Sequence, residues 1–332
     1  MKRILIIRLG AIGDVLMTTP TVRALKAKYP EAEITYITGK GLGTVLKGLP
    51  ALSEVMEFDK TAKGFLALAP ELRKRSFNLT VNLQPSIKTG LLRMAAGAKH
   101  TLTYKRDHAF HAVENTLKTL EPLGIDPAAC SRYTEFAIPD EAHQKVDALL
   151  AERGITDNSP LVLVTPGATA PSRQWPVENL VAFLDLLTEN RPTWHVGFFG
   201  GGGDKAIAEA ALAQVRHPER LLNFIGATNL KESGALLVRA NALVTMDTGP
   251  MHLAAAVGCP LVALFGATST KRTGPAPPPP TARVMRTPLT LVHTEGLDCV
   301  PCMERTCKRG DLACLTRLSP QAVLSALEKQ LL

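Results

Sequence analysis

The chain opens Arg3-Ile4-Leu5-Ile6-Ile7-Arg8-Leu9-Gly10-Ala11-Ile12-Gly13-Asp14 and runs on to Lys28 with a helical apolar period. An apolar β-branched run, a glycine turn and a helix, in that order, form the first half of a βαβ unit. The same order recurs along the whole sequence. Further strand-like runs lie at residues 34–37, 55–58, 79–83, 161–164, 195–199, 242–245 and 261–265. Helix-like stretches such as 14–28, 142–153 and 177–190 separate them. Near-continuous apolar strands alternating with helices indicate parallel sheets covered on both faces. The fold class is α/β.

At 332 residues the chain has room for two domains. The helix pattern ends and the strand pattern restarts across 152–160, through Arg-Gly-Ile-Thr-Asp-Asn-Ser-Pro. This gives a domain of residues 1–155, a second of 156–318, and a closing helix in 319–332 with Ser319 as N-cap and Pro320 at N1. Two doubly wound halves place a ligand cleft at the carboxyl ends of their strands. Apolar residues at 45% and charged residues at 20% exclude wholesale disorder and fibrous repeats. A proline run at 275–280 reads as a surface connector. Of the net +8, residues 1–150 carry +6, with 21 basic and 15 acidic side chains. That excess suits an anionic partner, although on the number alone ordinary solubility charge is the preferred reading. The apolar run after Met1 is cut by Arg8 and Asp14, and the stretch 253–267 is too short to span a bilayer. The expectation is a cytoplasmic, soluble protein, at most resting on a membrane.

Four loops at strand ends carry the polar chemistry. In Gly10-Ala11-Ile12-Gly13-Asp14 the glycines permit close backbone approach, but the spacing is not a dinucleotide fingerprint. Asp14 alone is better read as a helix-capping residue than as a catalytic one. The segment 165–176 offers Thr169 and Arg173 before a Pro-started helix, which suits a diphosphate. It reads equally well as a surface loop whose Trp175 covers the core. Gly200-Gly201-Gly202-Gly203-Asp204 leaves open backbone at a strand end, with Asp204 available to a ribose hydroxyl. Met246-Asp247-Thr248-Gly249-Pro250-Met251-His252 sets N–H groups and a hydroxyl at a helix N-terminus, ready for phosphate oxygens. Asp247 would repel phosphate, so it orients the loop or a neighbouring cation. His252 follows Gly249 by three residues, which favours a functional role over a core one. Cys299, Cys302, Cys307 and Cys314 open with C-x-x-C, as zinc sites do, but the later spacings do not repeat it. A thiol-rich lobe without metal is the preferred reading. No Asp-x-Asp pair for a divalent metal occurs, nor a Ser-His-Asp order or P-loop lysine.

Taken together, these segments resemble glycosyltransferase family 9, the ADP-heptose:lipopolysaccharide heptosyltransferases. The resemblance rests on residues 4–15 with Thr19-Pro20, on Pro166-Gly167-Ala168, on Arg173-x-Trp175-Pro176, and on 247–256 continuing to Leu264-Phe265-Gly266. The cysteine tail is similar to that of second-heptose members. The resemblance implies a GT-B fold: two Rossmann-like doubly wound domains facing across a cleft, with the final helix crossing back to the first. It implies an inverting, metal-independent glycosyltransferase that needs no cofactor and moves heptose from ADP-heptose to an inner-core sugar of lipopolysaccharide, Kdo or heptose. The partners implied are that ADP-sugar, the anionic acceptor and the cytoplasmic face of the inner membrane, with no nucleic acid. Asp14 matches the family's general base. Thr169 and Arg173 match diphosphate contacts, Asp204 an acid near the ribose, and Thr248, Gly249 and His252 the loop that grips the donor. Thr228 and Asp247 are grouped with the donor side. Gly13, Lys60, Lys63, Lys88 and Arg106 are the acceptor-side candidates. Several members carry Lys where this chain has Arg173, which keeps the charge but alters reach.

Other readings fit the architecture. A relative using a different nucleotide sugar on an envelope glycan differs only in substrate. An NAD-dependent oxidoreductase would use two Rossmann-like halves, with Glu31 or Glu33 near the position of its ribose carboxylate, but would carry the missing fingerprint. A noncatalytic two-lobed binding protein would carry a secretion signal.

Overall fold

The computed structural model describes residues 1–156, 159–280 and 289–331, and the chain divides into two compact units, Met1–Ala137 and Ile138–Leu332. The expected linker 152–160 thus includes two residues, 157 and 158, outside the described ones.

The first unit runs β1 (Arg3–Ile7), α1 (Ile12–Leu16), α2 (Thr19–Lys28), β2 (Glu33–Gly39), β3 (Glu54–Phe58), α3 (Ala62–Lys74), β4 (Leu79–Asn82), α4 (Ile87–Ala96), β5 (His100–Thr103) and α5 (Ala112–Lys118). Its sheet is parallel in the order β3-β2-β1-β4-β5. Central β1 is covered on both faces, so Ile4, Leu5, Ile6 and Ile7 are all buried and the run shows no polar alternation. The strand order reverses between β1 and β4, where doubly wound folds bind their ligands. The single helix expected over 14–28 is two. Pro20 has no N–H for the Leu16 carbonyl, and the hydroxyls of Thr18 and Thr19 turn back onto the carbonyls of Val15 (2.7 Å) and Leu16 (2.8 Å).

The second unit contains α6 (Asp140–Ala151), β6 (Leu161–Val164), α7 (Val177–Asn190), β7 (His195–Phe198), α8 (Lys205–Leu212), β8 (Leu221–Asn223), α9 (Leu230–Arg239), β9 (Ala242–Met246), α10 (Gly249–Val257), β10 (Leu261–Phe265), α11 (Thr270–Thr273), β11 (Leu289–His293), α12 (Ala313–Thr316) and α13 (Pro320–Leu331). The sheet order is β11-β10-β9-β6-β7-β8, again parallel, with its reversal between β6 and β9. Both units are doubly wound α/β.

The domain division differs from the expected 155/156 boundary. Helix α6 joins the second unit because its stripe of Ala142, Val146 and Leu150 packs against α9, with Lys145 3.7 Å from Glu232. Beyond it, the Arg153 guanidinium lies 5.3 Å from the Phe224 ring centre. Helix α13 is likewise no separate segment. Val323, Leu324 and Leu327 share one core with Trp175, Phe183 and Phe198, and the helix packs on α7 and β11. Residues 275–280 form neither helix nor strand. No helix among the described residues is long and apolar enough to cross a membrane.

Candidate functional site

In the first unit, polar groups gather where β1, β2 and β4 end. The chain leaving β1 is pinned on both sides: Arg8 N donates to Ile37 O at 3.0 Å, and Leu9 N to Gln84 Oε1 at 2.9 Å. Asp14, in α1, turns back over Gly10, where a Cβ would stand 2.9 Å from its Oδ2. Its other oxygen meets Arg8 Nη2 at 2.7 Å, while Arg8 Nη1 donates to the Leu83 carbonyl at 2.7 Å. The carboxylate is thus aimed by a fork anchored on the loop after β4. Its side chain stays 41% exposed, against 13% for Arg8. Beneath it, the buried Tyr36 hydroxyl lies 2.7 Å from Thr18 Oγ1 and holds the α1–α2 junction. Burial drives that phenol's pKa far up, the Thr18 hydrogen bond and the Arg8 charge opposing it and the Asp14 charge adding to it.

Two acceptor-side candidates join this end. A Cβ on Gly39 would stand 3.2 Å from Lys60 Nζ and 3.0 Å from the Leu9 carbonyl, so the ammonium overlies the ends of β1 and β2. Lys88 Nζ donates to the Lys60 carbonyl at 2.7 Å. Gly13 is buried within α1. Lys63 stands exposed in the first turn of α3, and Arg106 is exposed beyond edge strand β5; no hydrogen bond or ion pair draws either to Asp14. The loop after β2 is braced by Glu57, which accepts from Gly41 N (2.9 Å) and Gly43 N (2.8 Å). The Gly41 bond is the main reason its carboxyl pKa is lowered.

In the second unit, the loops after β6 and β9 meet at the strand reversal. Gln174 clamps the first: its Oε1 accepts from Ala168 N at 2.7 Å and its Nε2 donates to Pro166 O at 2.8 Å. Trp175 is buried and donates to Leu318 O at 3.2 Å, so one residue of this segment does serve the core. Arg173 instead reaches the second loop, with Nη1 3.2 Å from Asp247 O and 3.6 Å from Asp247 Oδ2. Asp247, buried at the mouth of α10, also accepts from Thr273 Oγ1 at 3.2 Å and lies 3.9 Å from His252 Nε2. Thr248, the N-cap of α10, makes no side-chain capping bond; its hydroxyl goes to Thr245 Oγ1 and Met246 O, each at 3.3 Å. A fixed guanidinium therefore stands beside a helix N-terminus free of side-chain caps, an arrangement that suits an anion.

Three further donor-side candidates stand apart from Asp247. Thr169 is exposed on the clamped loop, and Thr228 Oγ1 lies 2.8 Å from Ser233 Oγ at the start of α9. Asp204 is turned inward. Its Oδ2 accepts from Gly201 N at 2.9 Å, and the absent side chains of Gly167 and Gly200 make room for it, since a Cβ there would stand 2.2 or 2.3 Å from its carboxylate. Burial raises its pKa, partly offset by the Gly201 bond.

All four tail cysteines are free thiols. The Cys314 thiol is pushed up by burial and then by the charges of Cys307, Cys302 and Cys299. Among the described residues, no three His, Cys, Asp or Glu side chains are arranged to hold a metal ion.

Sequence reasoning missed Arg8, Gln84, Gln174 and Thr273. Arg8 was legible as a charge at the end of a buried strand, where only a partner justifies it. The glutamines and Thr273 carried no local signal.

A family model for glycosyltransferase family 9 (heptosyltransferase) matches residues 65–312. The chain is 27% identical over 281 residues to lipopolysaccharide heptosyltransferase 3 of Escherichia coli K12, spanning 77% of this chain and 80% of the relative. Among solved structures, a glycosyl transferase family 9 protein from Veillonella parvula superposes with a TM-score of 0.87 at 26% identity, covering 99% of this chain and 97% of that one. The E. coli ADP-heptose lps heptosyltransferase II superposes at 0.80 with 21% identity, covering 100% and 98%, and supports the fold. With the model spanning most of its length, this chain belongs to glycosyltransferase family 9 and is a glycosyltransferase.

Proposed function

We propose that the chain transfers heptose from ADP-heptose to an inner-core sugar of lipopolysaccharide, Kdo or heptose, with inversion at the anomeric carbon and without a metal ion. The first unit takes the acceptor and the second the donor. Asp14 accepts the proton of the attacking hydroxyl. The acceptor oxygen bonds to the anomeric carbon from the face opposite ADP, and the bond from that carbon to the β-phosphate oxygen breaks. The leaving diphosphate needs charge stabilisation rather than a proton, so one carboxylate suffices. Arg173 and the N–H groups opening α10 supply the positive charge that a divalent ion supplies elsewhere. His252, Thr248 and Gly249 frame that end of the donor, while Thr169, Asp204 and Thr228 flank it. Lys60 and Lys88, with Lys63 and Arg106 further out, favour an acidic acceptor. Because that acceptor is carried on lipid A, the enzyme works at the cytoplasmic face of the inner membrane.

The observation that carries the donor half is the Arg173 guanidinium held on Asp247 beside the mouth of α10. Calorimetric titration with ADP, UDP, GDP and NAD in the presence of EDTA tests it. Preferential binding of ADP is expected. Binding of NAD alone, or a requirement for a divalent ion, contradicts the reading.

A further inference from the structure

Helices α3 and α4 of the first unit lie side by side, and each is apolar on two faces. One face is spent on the sheet, through Leu68 and Leu72 of α3 and Leu92 and Ala96 of α4. The other faces outward. Among the described residues six large apolar side chains are exposed, and four of them lie here: Leu66 (71%), Ile87 (85%), Leu91 (42%) and Met94 (66%). Leu66, Leu91 and Met94 line an open groove of about 470 Å³ together with Phe65, Pro70 and Arg73, and Ile87 stands one turn before Leu91 on α4. Clustered exposure of this kind marks an interaction surface, whereas scattered apolar residues do not.

The charge around the groove selects its occupant. The two helices themselves carry Lys63, Arg73, Lys74, Lys88 and Arg93 against one acid, Glu71, within a stretch, residues 60–106, that holds ten Lys and Arg. Glu71 is held by Arg75, which also takes Glu54. The next acids are engaged too: Asp59 lies 3.5 Å from Lys40, Glu57 is bound to the Gly41 and Gly43 N–H groups, and Asp107 accepts from Ala109 N at 2.9 Å. A second copy of this chain docking face to face would oppose two such basic stretches. An anionic bilayer satisfies both features, since its acyl boundary takes protruding apolar side chains and its phosphates take the surrounding cations.

We propose that the α3–α4 face of the first unit docks on an anionic lipid bilayer, with Leu66, Ile87, Leu91 and Met94 entering the acyl boundary. The docking is argued from the first unit alone and stands without the transfer reaction. If that reaction is as proposed, the surface serves it. Both helices begin at the carboxyl end of the sheet, where Asp14, Lys60 and Lys88 lie, so a lipid-linked acceptor would arrive at that end.

Flotation of the full chain with vesicles of phosphatidylglycerol and phosphatidylethanolamine, against pure phosphatidylcholine and with no nucleotide or sugar present, tests the proposal. Binding to the anionic vesicles only, weakening with salt, is expected. The Ile87→Ser/Met94→Ser double variant should lower partitioning roughly tenfold or more. Arg73→Gln/Arg93→Gln should lower it by about fivefold per cation removed. Leu289→Ser, an exposed apolar residue of the second unit, should leave it unchanged. Circular dichroism checks that each variant folds. Equal binding to phosphatidylcholine, no binding to anionic vesicles at low salt, or wild-type partitioning by both double variants overturns the proposal. So does a dimer in sedimentation that the double variants abolish while lipid binding persists. Both double variants should keep wild-type transfer to a delipidated acceptor. Absence of that transfer in the wild type counts against the reaction alone, because the vesicle experiment contains no substrate.

Discussion

Changing Arg8 to Lys keeps a cation beside Asp14 but removes the fork that aims it. In the native protein one guanidinium nitrogen lies 2.7 Å from Asp14 Oδ1 and the other donates to the Leu83 carbonyl at 2.7 Å. A single ammonium on a flexible stem cannot reproduce that planar pair. If it stays on Asp14, the carbonyl of fully buried Leu83 loses its donor, at a cost of about 1–3 kcal/mol. If it moves to Leu83, the carboxylate is released, and a misplacement of about 1 Å costs on the order of 10²-fold in rate. Steady-state ADP release at varied donor concentration, together with urea unfolding, separates these outcomes. The expected result is a kcat reduced by about 10- to 100-fold with donor KM unchanged, since the donor-side groups belong to the other unit. Unaltered kcat and stability, or a rise in donor KM alone, would refute the claim that this pair positions the base.

Two other predictions follow from the raised and lowered titrations. Burial raises the Asp204 pKa above its unfolded value, so the protonated form favours the fold. This contribution is fully present below the unfolded pKa, about 4, and is lost as pH rises through the folded value. The stability of the wild type relative to Asp204→Asn should therefore increase as pH falls from neutral toward that value, read from urea midpoints; a constant or shrinking difference contradicts it. Cys307 accepts backbone N–H groups from Leu312, Arg309 and Gly310, which lower its pKa, whereas burial drives that of Cys259 up. Limited alkylation with iodoacetamide near neutral pH, followed by peptide mass mapping, should mark Cys307 first and Cys259 last. Reversal of that order would be inconsistent with these environments.

The eight strands read from the sequence are all present: seven are buried over nearly their whole length and leave an apolar run, as Leu261–Phe265 does, while edge strand Glu54–Phe58 is legible from Val55, Met56 and Phe58 alone. The three strands it missed all lie at or next to a sheet edge. His100–Thr103 and Leu221–Asn223 are short and mostly uncovered, and Leu289–His293 alternates with Thr290 and ends on a histidine, so none offers a continuous signal. The boundary was misplaced because helix α6 resembles any amphipathic helix; only its packing on α9 assigns it to the second unit. The candidate site is legible in the sequence where backbone chemistry is local, as in the loops Gly10–Asp14 and Asp247–His252 at the strand ends. It was not legible where partners are distant in sequence, as for Arg8 with Leu83, Arg173 with Asp247, or Thr273 with Asp247.

The most direct test of the central claim is transfer by Asp14→Asn. Asparagine keeps the shape and can still accept from Arg8, but it cannot take a proton from the acceptor hydroxyl. The account predicts a kcat lower by about 10²–10⁴-fold with ADP affinity retained. Turnover within a few fold of the wild type, or loss of ADP binding along with activity, would contradict it.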